Sequence, residues 1–350
     1  MQMKNVMWVC LVYAIFFTIS CSSNKGGNPT PPASYTPPSV AAGFAKGADI
    51  SWVTQMEAQG VKFYDKSGKQ QDLFALMKSL GFNSIRLRAW VNPSDGWCNT
   101  ADLVKKALRA QSAGMKIMID FHYADSWADP GKQPKPAAWV PLNFNSMVTA
   151  LHDYTVHVLD TLQTNGITPN WVQVGNEVDD GMLWEDGRAS AHMANFAALV
   201  QAGYSAVKSV SADIKVIVHV SNGFDNTHFE WLFDGLKTNG AHWDIVGMSL
   251  YPSTTNYNSL DNECLANMKD MLTRYGTPVM ICEAGMNASD PTNSRAFLSD
   301  IIAKNNSLAN GNGLGVFYWE PEAYNWQGYG LGAFDSTGKP TIALDAFGGN

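Results

Sequence analysis

The sequence predicts a single (β/α)8 barrel, the fold known as a TIM barrel. From about residue 45 onward, short β-rich runs alternate with stretches whose apolar residues repeat at helical spacing. Eight such runs occur, and each except the last is clearly followed by helical material, which is the pattern of a closed parallel barrel. No Gly-x-Gly-x-x-Gly loop follows an early run, so the competing α/β fold, an open doubly wound sheet, is disfavoured.

The helical stretches are defined by apolar spacing and by the residues at their ends. The first has apolar residues at i, i+3, i+4 and i+7 and a C-cap at Gly81. The next is predicted to begin behind an N-cap at Thr100 and to end before Gly114, and the third ends before Gly166. The apolar residues of the first stretch are Leu73, Leu76, Met77 and Leu80.

The predicted strands are short and mostly apolar, and several carry polar residues at every second position. In the second strand, Arg86 and Arg88 are predicted to point into the barrel, whereas Ile85 and Leu87 point toward the helices. Two buried arginines require anions nearby. The strands are expected near residues 47–51, 83–90, 116–122, 171–177, 214–219, 245–251, 278–283 and 314–320.

The N-terminal region differs in composition from the barrel. Residues 1–20 carry one lysine and then an apolar run from Val6 to Ile19, which predicts a secretory signal peptide. The residues up to Cys21 resemble a bacterial lipobox, so Cys21 is the expected lipid-modified first residue of the mature protein. The alternative is an ordinary signal peptide with a coincidental cysteine.

Residues 21–41 are rich in Ser, Pro, Gly and Asn and are expected to form a flexible tether, leaving residues 42–350 as the barrel domain. These features predict a protein of the cell envelope, anchored to a membrane by its N-terminal lipid. The outer membrane is the expected site, with the cell surface as the alternative.

Composition excludes several classes of partner. The formal net charge is −7 and no basic cluster occurs, so nucleic acid is not an expected partner. Of the five cysteines, Cys98, Cys264 and Cys282 lie in the barrel domain and allow at most one disulfide. No Cys-x-x-Cys or His-Glu-x-x-His spacing indicates zinc, so we expect no metal and no cofactor in the chemistry. We also expect a monomer.

Two predicted strands end in a glutamate. Asn176 and Glu177 end the fourth strand and Glu283 ends the seventh, so all three are expected at the C-terminal rim, where barrel enzymes keep their active sites. A glycosidase needs one protonated and one ionised carboxyl group, roughly 5 Å apart for retention and about 6.5 to 9.5 Å apart for inversion. A positive charge from Arg86 beside one glutamate would keep it ionised as a nucleophile, while Glu177 stays protonated.

Other polar and aromatic residues near the rim have more than one interpretation. His122 lies close in sequence to Asp120 and Asp125, but the spacing does not suit a metal, and a hydrogen bond to sugar is the favoured interpretation. Tryptophans at this rim either stack on sugar rings or fill space. These are Trp90, Trp127 and Trp184.

Several long motifs resemble glycoside hydrolase family 53, and the resemblance extends from Gly47 to about Phe347. The motifs are Ser84–Pro93 (SIRLRAWVNP), Ile119–Pro130 (IDFHYADSWADP), Gln173–Glu177 (QVGNE) with Gly181–Trp184 (GMLW), and Phe317–Pro321 (FYWEP).

The resemblance implies an endo-β-1,4-galactanase with a TIM-barrel fold and a retaining mechanism, acting on galactan or arabinogalactan. It implies that Glu177 is the acid/base and Glu283 the nucleophile. It further implies that Asn176 contacts the sugar 2-hydroxyl and that Arg86 orients Glu283. The residues expected to line the cleft are Asp49, Trp90, His122, His219, Asn222, Tyr251 and Trp319.

One segment departs from the family. Only about ten residues separate Glu283 from the helix expected near Asn293, whereas relatives often have a longer loop there, which in bacterial members can include a calcium site. A structural calcium ion is therefore not expected here. The short segment predicts a more open cleft and shorter products than those of long-loop relatives.

Two alternatives remain. The first is a barrel endo-hydrolase of another β-linked plant polysaccharide, such as mannan or xylan, because the catalytic pair would be the same. The second is a lipid-anchored protein that binds glycan without cutting it, because the signal, the tether and the aromatic content suit that role equally well.

Overall fold

Eight parallel strands close into a barrel within residues 35–348, the part of the chain that the computed structural model describes. Each strand pairs with its neighbours in chain order, and β1 closes the barrel by pairing with β8. The prediction of a TIM barrel is confirmed. The strands are β1 Ala45–Asp49, β2 Ser84–Ala89, β3 Lys116–Phe121, β4 Trp171–Val174, β5 Lys215–Val220, β6 Ile245–Leu250, β7 Val279–Ala284 and β8 Gly313–Trp319.

Helices cover the outside of the barrel and follow the strands in alternation. Two helices and a short antiparallel strand pair, Phe63–Tyr64 with Gln70–Gln71, separate β1 from β2. After β8 the described residues end with a 3-10 helix, Ile342–Phe347, and its C-cap Gly348. The α-helices are α1 Val53–Ala58, α2 Leu73–Ser79, α3 Thr100–Ser112, α4 Phe144–Thr164, α5 Ala189–Val210, α6 Asn226–Thr238, α7 Tyr257–Tyr275 and α8 Pro291–Asn306.

The predicted N-cap of α3 is wrong by one residue. Asn99 is the N-cap, because its side-chain oxygen accepts a hydrogen bond from the backbone N–H of Asp102 at 2.9 Å, and Thr100 is the first helical residue. Asparagine and threonine both cap helices, so the local sequence permits either register.

The barrel interior has an apolar layer far from the C-terminal rim. Gly47 of β1 faces this layer, and a β-carbon there would lie 2.1 Å from the ring of Phe317, so only glycine fits. The larger apolar core lies between the strands and the helices. The inner layer consists of Ala45, Met118, Trp171, Ile217, Ile245, Met280, Cys282 and Phe317. The polar residues that face the barrel interior therefore lie at its opposite end, near the C-terminal rim.

The N-terminal predictions fall largely on residues that the structure does not describe. The signal peptide, Cys21 and the tether as far as residue 34 lie outside the described residues. In residues 36–41, the end of the predicted tether, Val40 packs against the core and the N–H of Ala41 donates to Asn306 Oδ1 at 2.8 Å. Within residues 35–348, no helix combines the length and apolar character needed to cross a membrane.

The three cysteines of the barrel domain, Cys98, Cys264 and Cys282, are all buried thiols. The described part of the chain therefore contains no disulfide, which lies within the predicted limit of one. In the same residues, no group of three or more acidic, histidine or cysteine side chains is arranged to hold a metal ion.

Candidate active site

Arg86 is the centre of the polar cluster at the C-terminal end of the barrel. It lies on β2, points inward as predicted and is 1% exposed. Its Nη1 lies 2.6 Å from Asp49 Oδ2, and its Nη2 lies 2.9 Å from Asp120 Oδ2 and 2.8 Å from Glu283 Oε1. Burial lowers the pKa of Arg86, but these three carboxylates outweigh it and hold the pKa well above its ordinary value. The guanidinium therefore remains charged.

Glu283 reaches this cluster because of a bulge in β7. Met280 and Cys282 face the barrel interior, so simple alternation would turn Glu283 toward the helices. The pairing with β6 instead shifts by one residue, from Met248 opposite Ile281 to Ser249 opposite Glu283. A bulge of this kind re-aims a side chain. It brings the carboxyl group inward beside Arg86.

Glu177 lies beyond the end of its strand. The prediction that the strand extends to residue 177 is wrong, since β4 ends at Val174 and a bend follows. Gly175 has φ +87°, and a β-carbon there would lie 2.4 Å from a Val178 methyl. Glu177 itself has φ +42°, which is unusual for a residue other than glycine. The neighbouring contacts must therefore hold the backbone at Glu177 in this conformation.

The two glutamates have unequal partners. Glu283 accepts from Arg86 at one oxygen and from the Tyr251 hydroxyl at the other, the latter at 2.6 Å. Burial raises the pKa of Glu283 to about 7, against the opposing effects of Arg86 and Tyr251. Burial and the neighbouring Glu283 carboxylate raise the pKa of Glu177 well above its ordinary range. The pair therefore carries its proton on Glu177 and its negative charge on Glu283.

We expect the change Tyr251→Phe to move the acid limb of the kcat/KM profile to higher pH. The Tyr251 hydrogen bond lowers the pKa of Glu283, so its removal raises that pKa and the carboxylate is lost at a higher pH as the solution is acidified. The pH dependence of kcat/KM measures this, because it reports groups of the free enzyme. Tyr329→Phe is the matched control, since the Tyr329 hydroxyl donates to the backbone oxygen of Trp319 at 3.1 Å. An acid limb unchanged in Tyr251→Phe would contradict the assignment.

Two buried histidines, His122 and His219, complete the polar cluster around Arg86. The N–H of Ala128 donates to His122 Nδ1 at 3.1 Å, so the His122 Nε2 hydrogen faces Asp120 Oδ2 at 2.9 Å. His219 contacts Gln173 at 2.9 Å through Nδ1 and Ser249 at 2.8 Å through Nε2. Burial lowers the pKa of both rings, that of His219 well below its ordinary value. Both histidines are therefore neutral.

A cavity of about 250 Å³ adjoins this polar cluster. Its walls combine the two glutamates with aromatic rings that suit the apolar faces of a sugar. Two of these rings, Trp127 and Trp319, pack against each other with their centroids 6.0 Å apart. The lining residues are His122, Trp127, Ala128, Asp129, Asn176, Glu177, Tyr251, Glu283, Trp319, Tyr329 and Leu331.

Not every residue predicted to line the cleft does so. Asp49 and His219 are fully buried beneath it, where Asp49 contacts Arg86 and His219 contacts both Gln173 and Ser249. Asn222 is exposed at the rim with φ +49° and does not line the cavity. Trp90 lines an adjoining cavity of about 180 Å³ on the other side of Trp127. His122, Asn176, Tyr251 and Trp319 do line the cleft, and Arg86 contacts it through Glu283.

Several residues of the site were not predicted. Asp120 and Gln173 occupy inward positions of β3 and β4, so strand alternation could have indicated them. The anion beside Arg88 is Glu320 at 3.3 Å, and the Arg88 guanidinium lies 4.1 Å from the centre of the Trp127 ring. Gln133, in the loop after β3, contacts the backbone of Asn176 and Glu177, and no local pattern marked it.

The loop after β7 is short, as expected. It occupies residues 285–290, because β7 ends at Ala284 and α8 begins at Pro291. Its effect on product length stays a prediction.

Comparisons with known proteins agree with this geometry. The model of the family described as glycosyl hydrolase family 53 matches residues 45–290 and 286–347, two stretches that overlap within the short loop after β7. An uncharacterized protein of Niallia circulans is 35% identical over 309 residues, covering 79% of this chain and 83% of that protein. A probable arabinogalactan endo-β-1,4-galactanase A of Neosartorya fischeri is 33% identical over 298 residues, with the same coverage of 79% and 83%.

Among solved structures, one from a study of two fungal β-1,4-galactanases superimposes with a TM-score of 0.80 at 28% identity. The match covers 87% of this chain and 98% of that one.

Proposed function

This chain belongs to glycosyl hydrolase family 53, and from that premise we propose that it is a retaining endo-β-1,4-galactanase. Its substrate is type I galactan or arabinogalactan, and its products are galacto-oligosaccharides. The observation that carries the proposal is the pair of glutamates in one cleft, of which only Glu283 contacts a guanidinium and a phenol. That asymmetry supports different roles for two otherwise identical side chains.

In the first step, Glu177 donates its proton to the glycosidic oxygen while Glu283 attacks the anomeric carbon. The glycosidic bond breaks, the shortened chain leaves with the proton, and a galactosyl ester forms on Glu283. Arg86 and Tyr251 hold the attacking carboxylate in place. In the second step, Glu177, now ionised, takes a proton from water as the water oxygen displaces Glu283, which restores both groups.

Asn176 is proposed to contact the sugar 2-hydroxyl. Its side-chain oxygen accepts from Arg86 at 2.8 Å and its nitrogen donates to the Ala128 carbonyl at 2.9 Å, so the amide is held in one orientation beside the cavity. One hydrogen of the amide remains for a ligand. Every step is assigned to a side chain of one chain, so the proposal requires neither a cofactor nor a second subunit.

The experiment that tests the function measures reducing-sugar release from debranched pectic galactan, mannan and xylan. The wild type is compared with Glu177→Ala and Glu283→Ala. Activity on galactan alone, lost in both variants, would support the proposal. Activity on mannan or xylan would keep the two carboxyl roles and replace the substrate, and glycan binding without release from any polymer would favour a capture protein.

We also propose that Cys21 carries lipid and anchors the enzyme to the cell envelope, at the outer membrane or the cell surface. The lipobox-like sequence before Cys21 supports this. We expect the wild type in the membrane fraction and the Cys21→Ala variant in the soluble fraction. Recovery of Cys21→Ala from the membrane fraction in the wild-type amount would contradict the lipid anchor.

A further inference from the structure

Gln133 is a buried residue outside the catalytic pair that contacts the backbone of Glu177 directly. It lies in the loop between β3 and α4 and is 2% exposed. Its side-chain Nε2 lies 2.9 Å from the carbonyl oxygen of Asn176, 3.1 Å from that of Glu177 and 3.2 Å from that of Asp129. A single amide group thus serves both peptide carbonyls of the Asn-Glu pair and one carbonyl of its own loop.

These bonds join two loops that follow neighbouring strands and both contribute to the cleft wall. Asp129 lines the cavity in the loop after β3, and Glu177 lines it in the loop after β4. The backbone of Gln133 is itself held, since its carbonyl accepts from the N–H of Trp184 at 2.8 Å. Gln133 is therefore held at two points: its backbone carbonyl accepts from Trp184, and its side-chain amide donates to the carbonyls that it contacts.

The backbone at Glu177 needs such support. Its φ of +42° is disfavoured for a residue with a side chain and persists only where the surroundings impose it. The side-chain amide carries two hydrogens for three carbonyl oxygens, so loss of the amide leaves carbonyls on both loops without their donor. Buried carbonyls without a donor favour a different backbone arrangement.

We propose that Gln133 is a positioning residue that fixes the direction of the Glu177 carboxyl group toward the glycosidic oxygen. This inference rests on the proposed role of Glu177 as acid. The nucleophile does not depend on Gln133, because Glu283 is oriented by Arg86 of β2 and by Tyr251, which directly follows β6. Loss of the Gln133 amide should therefore impair protonation of the leaving group more than attack at the anomeric carbon.

The test compares substrates that differ only in their need for an acid. Dinitrophenyl β-1,4-galactobioside releases a stable phenolate without protonation, whereas the methoxyphenyl compound and galactan need a proton from the enzyme. We measure kcat/KM, which reports the steps up to departure of the leaving group. For Gln133→Glu we expect a loss of roughly 10²-fold on galactan and the methoxyphenyl compound, and little change on the dinitrophenyl compound.

The pH profile adds a signature that a purely structural role would not produce. An ionised carboxyl at position 133 cannot donate to any of the three carbonyls, whereas a protonated one has a single O–H that can donate to one of them. The ratio of variant to wild-type kcat/KM on galactan should therefore rise as the pH falls. Gln111→Glu is the matched control, because Gln111 makes one exposed bond of the same kind, to the Gly166 carbonyl at 2.7 Å. It should change neither the ratio nor the substrate preference.

If Gln133→Glu does not fold, the comparison of the aryl substrates is made with Gln133→Met, which keeps the length of the side chain and removes the amide. Equal losses on both aryl substrates, or no loss on galactan, would overturn the inference. Glu177→Ala is measured in parallel. If that variant shows no preference for the dinitrophenyl leaving group, the acid role of Glu177 is wrong, and this result is separate from the outcome for Gln133.

Discussion

Replacing Glu283 by alanine is expected to lower kcat on galactan by a factor on the order of 10⁴ to 10⁶, the scale seen when a nucleophile is removed from a hydrolase. The carboxylate forms the bond to the anomeric carbon, and the inward-facing groups beside it, Arg86 and Tyr251, cannot take its place as nucleophile. Reducing-sugar release measures the loss. The exposed Glu263 of α7 offers a control, and Glu263→Ala should retain wild-type activity.

Azide distinguishes the two glutamates in their alanine variants. In Glu283→Ala, azide can enter from the side of the missing carboxylate and displace an activated aryl leaving group, which yields the α-galactosyl azide. In Glu177→Ala, the galactosyl ester still forms on Glu283 and azide displaces it from the opposite face, which yields the β-galactosyl azide. The same anomer from both variants would contradict the assigned roles.

Replacing Arg86 by methionine is expected to lower the free energy of unfolding by about 3 to 5 kcal/mol, the cost of leaving buried charges without their partner. Asp49 and Asp120 have no exposed surface, so water cannot replace the guanidinium that neutralises them. Denaturant unfolding near neutral pH measures the change. Activity should also fall, because Glu283 loses the positive charge that holds down its pKa.

Arg274→Met is the matched control for Arg86. Arg274 lies 2.8 Å from Asp234 and 3.4 Å from Glu230, but its side chain is 39% exposed, so its removal should cost far less stability than the removal of Arg86. Burial raises the pKa of Asp120, but the charge of Arg86 opposes it and the pKa lies below its ordinary value. The stabilisation is therefore present above the unfolded-state pKa and is lost as the pH falls through the folded-state value. The difference between Arg86→Met and the wild type should therefore shrink on acidification. A cost equal to that of Arg274→Met would contradict the central role of Arg86.

Most of the fold could be predicted from local patterns in the sequence. The helical spacing of residues such as Leu73 and Leu76 and the β-rich runs between helices recur in every unit of the barrel except the last, whose strand is not followed by an α-helix. Periodicity is a property of neighbouring residues, so it can be read without knowing what they pack against. Errors occurred at element ends, as at Asn99 and after Val174, where several local choices are close in free energy.

The site was predictable to the extent that it lies at strand ends. Glu177 and Glu283 were identified because each follows an apolar run, and Arg86 because it alternates with Ile85 and Leu87. The family resemblance placed Asp49 and His219 in the cleft as well, but they lie buried beneath it and do not line it. Depth within a barrel depends on how the strands are staggered, which alternation alone does not specify.

The sequence by itself determined the barrel, the rim at which the chemistry is proposed to lie and the two carboxyl groups that carry it, because these follow from burial and periodicity within single segments. The tertiary structure decided that a bulge turns Glu283 inward, that Arg86 meets three carboxylates from three other strands, and that Gln133 of one loop holds the backbone of Glu177 in another. Such contacts join residues far apart in the chain. They depend on strand register and loop closure, which no short stretch of sequence encodes.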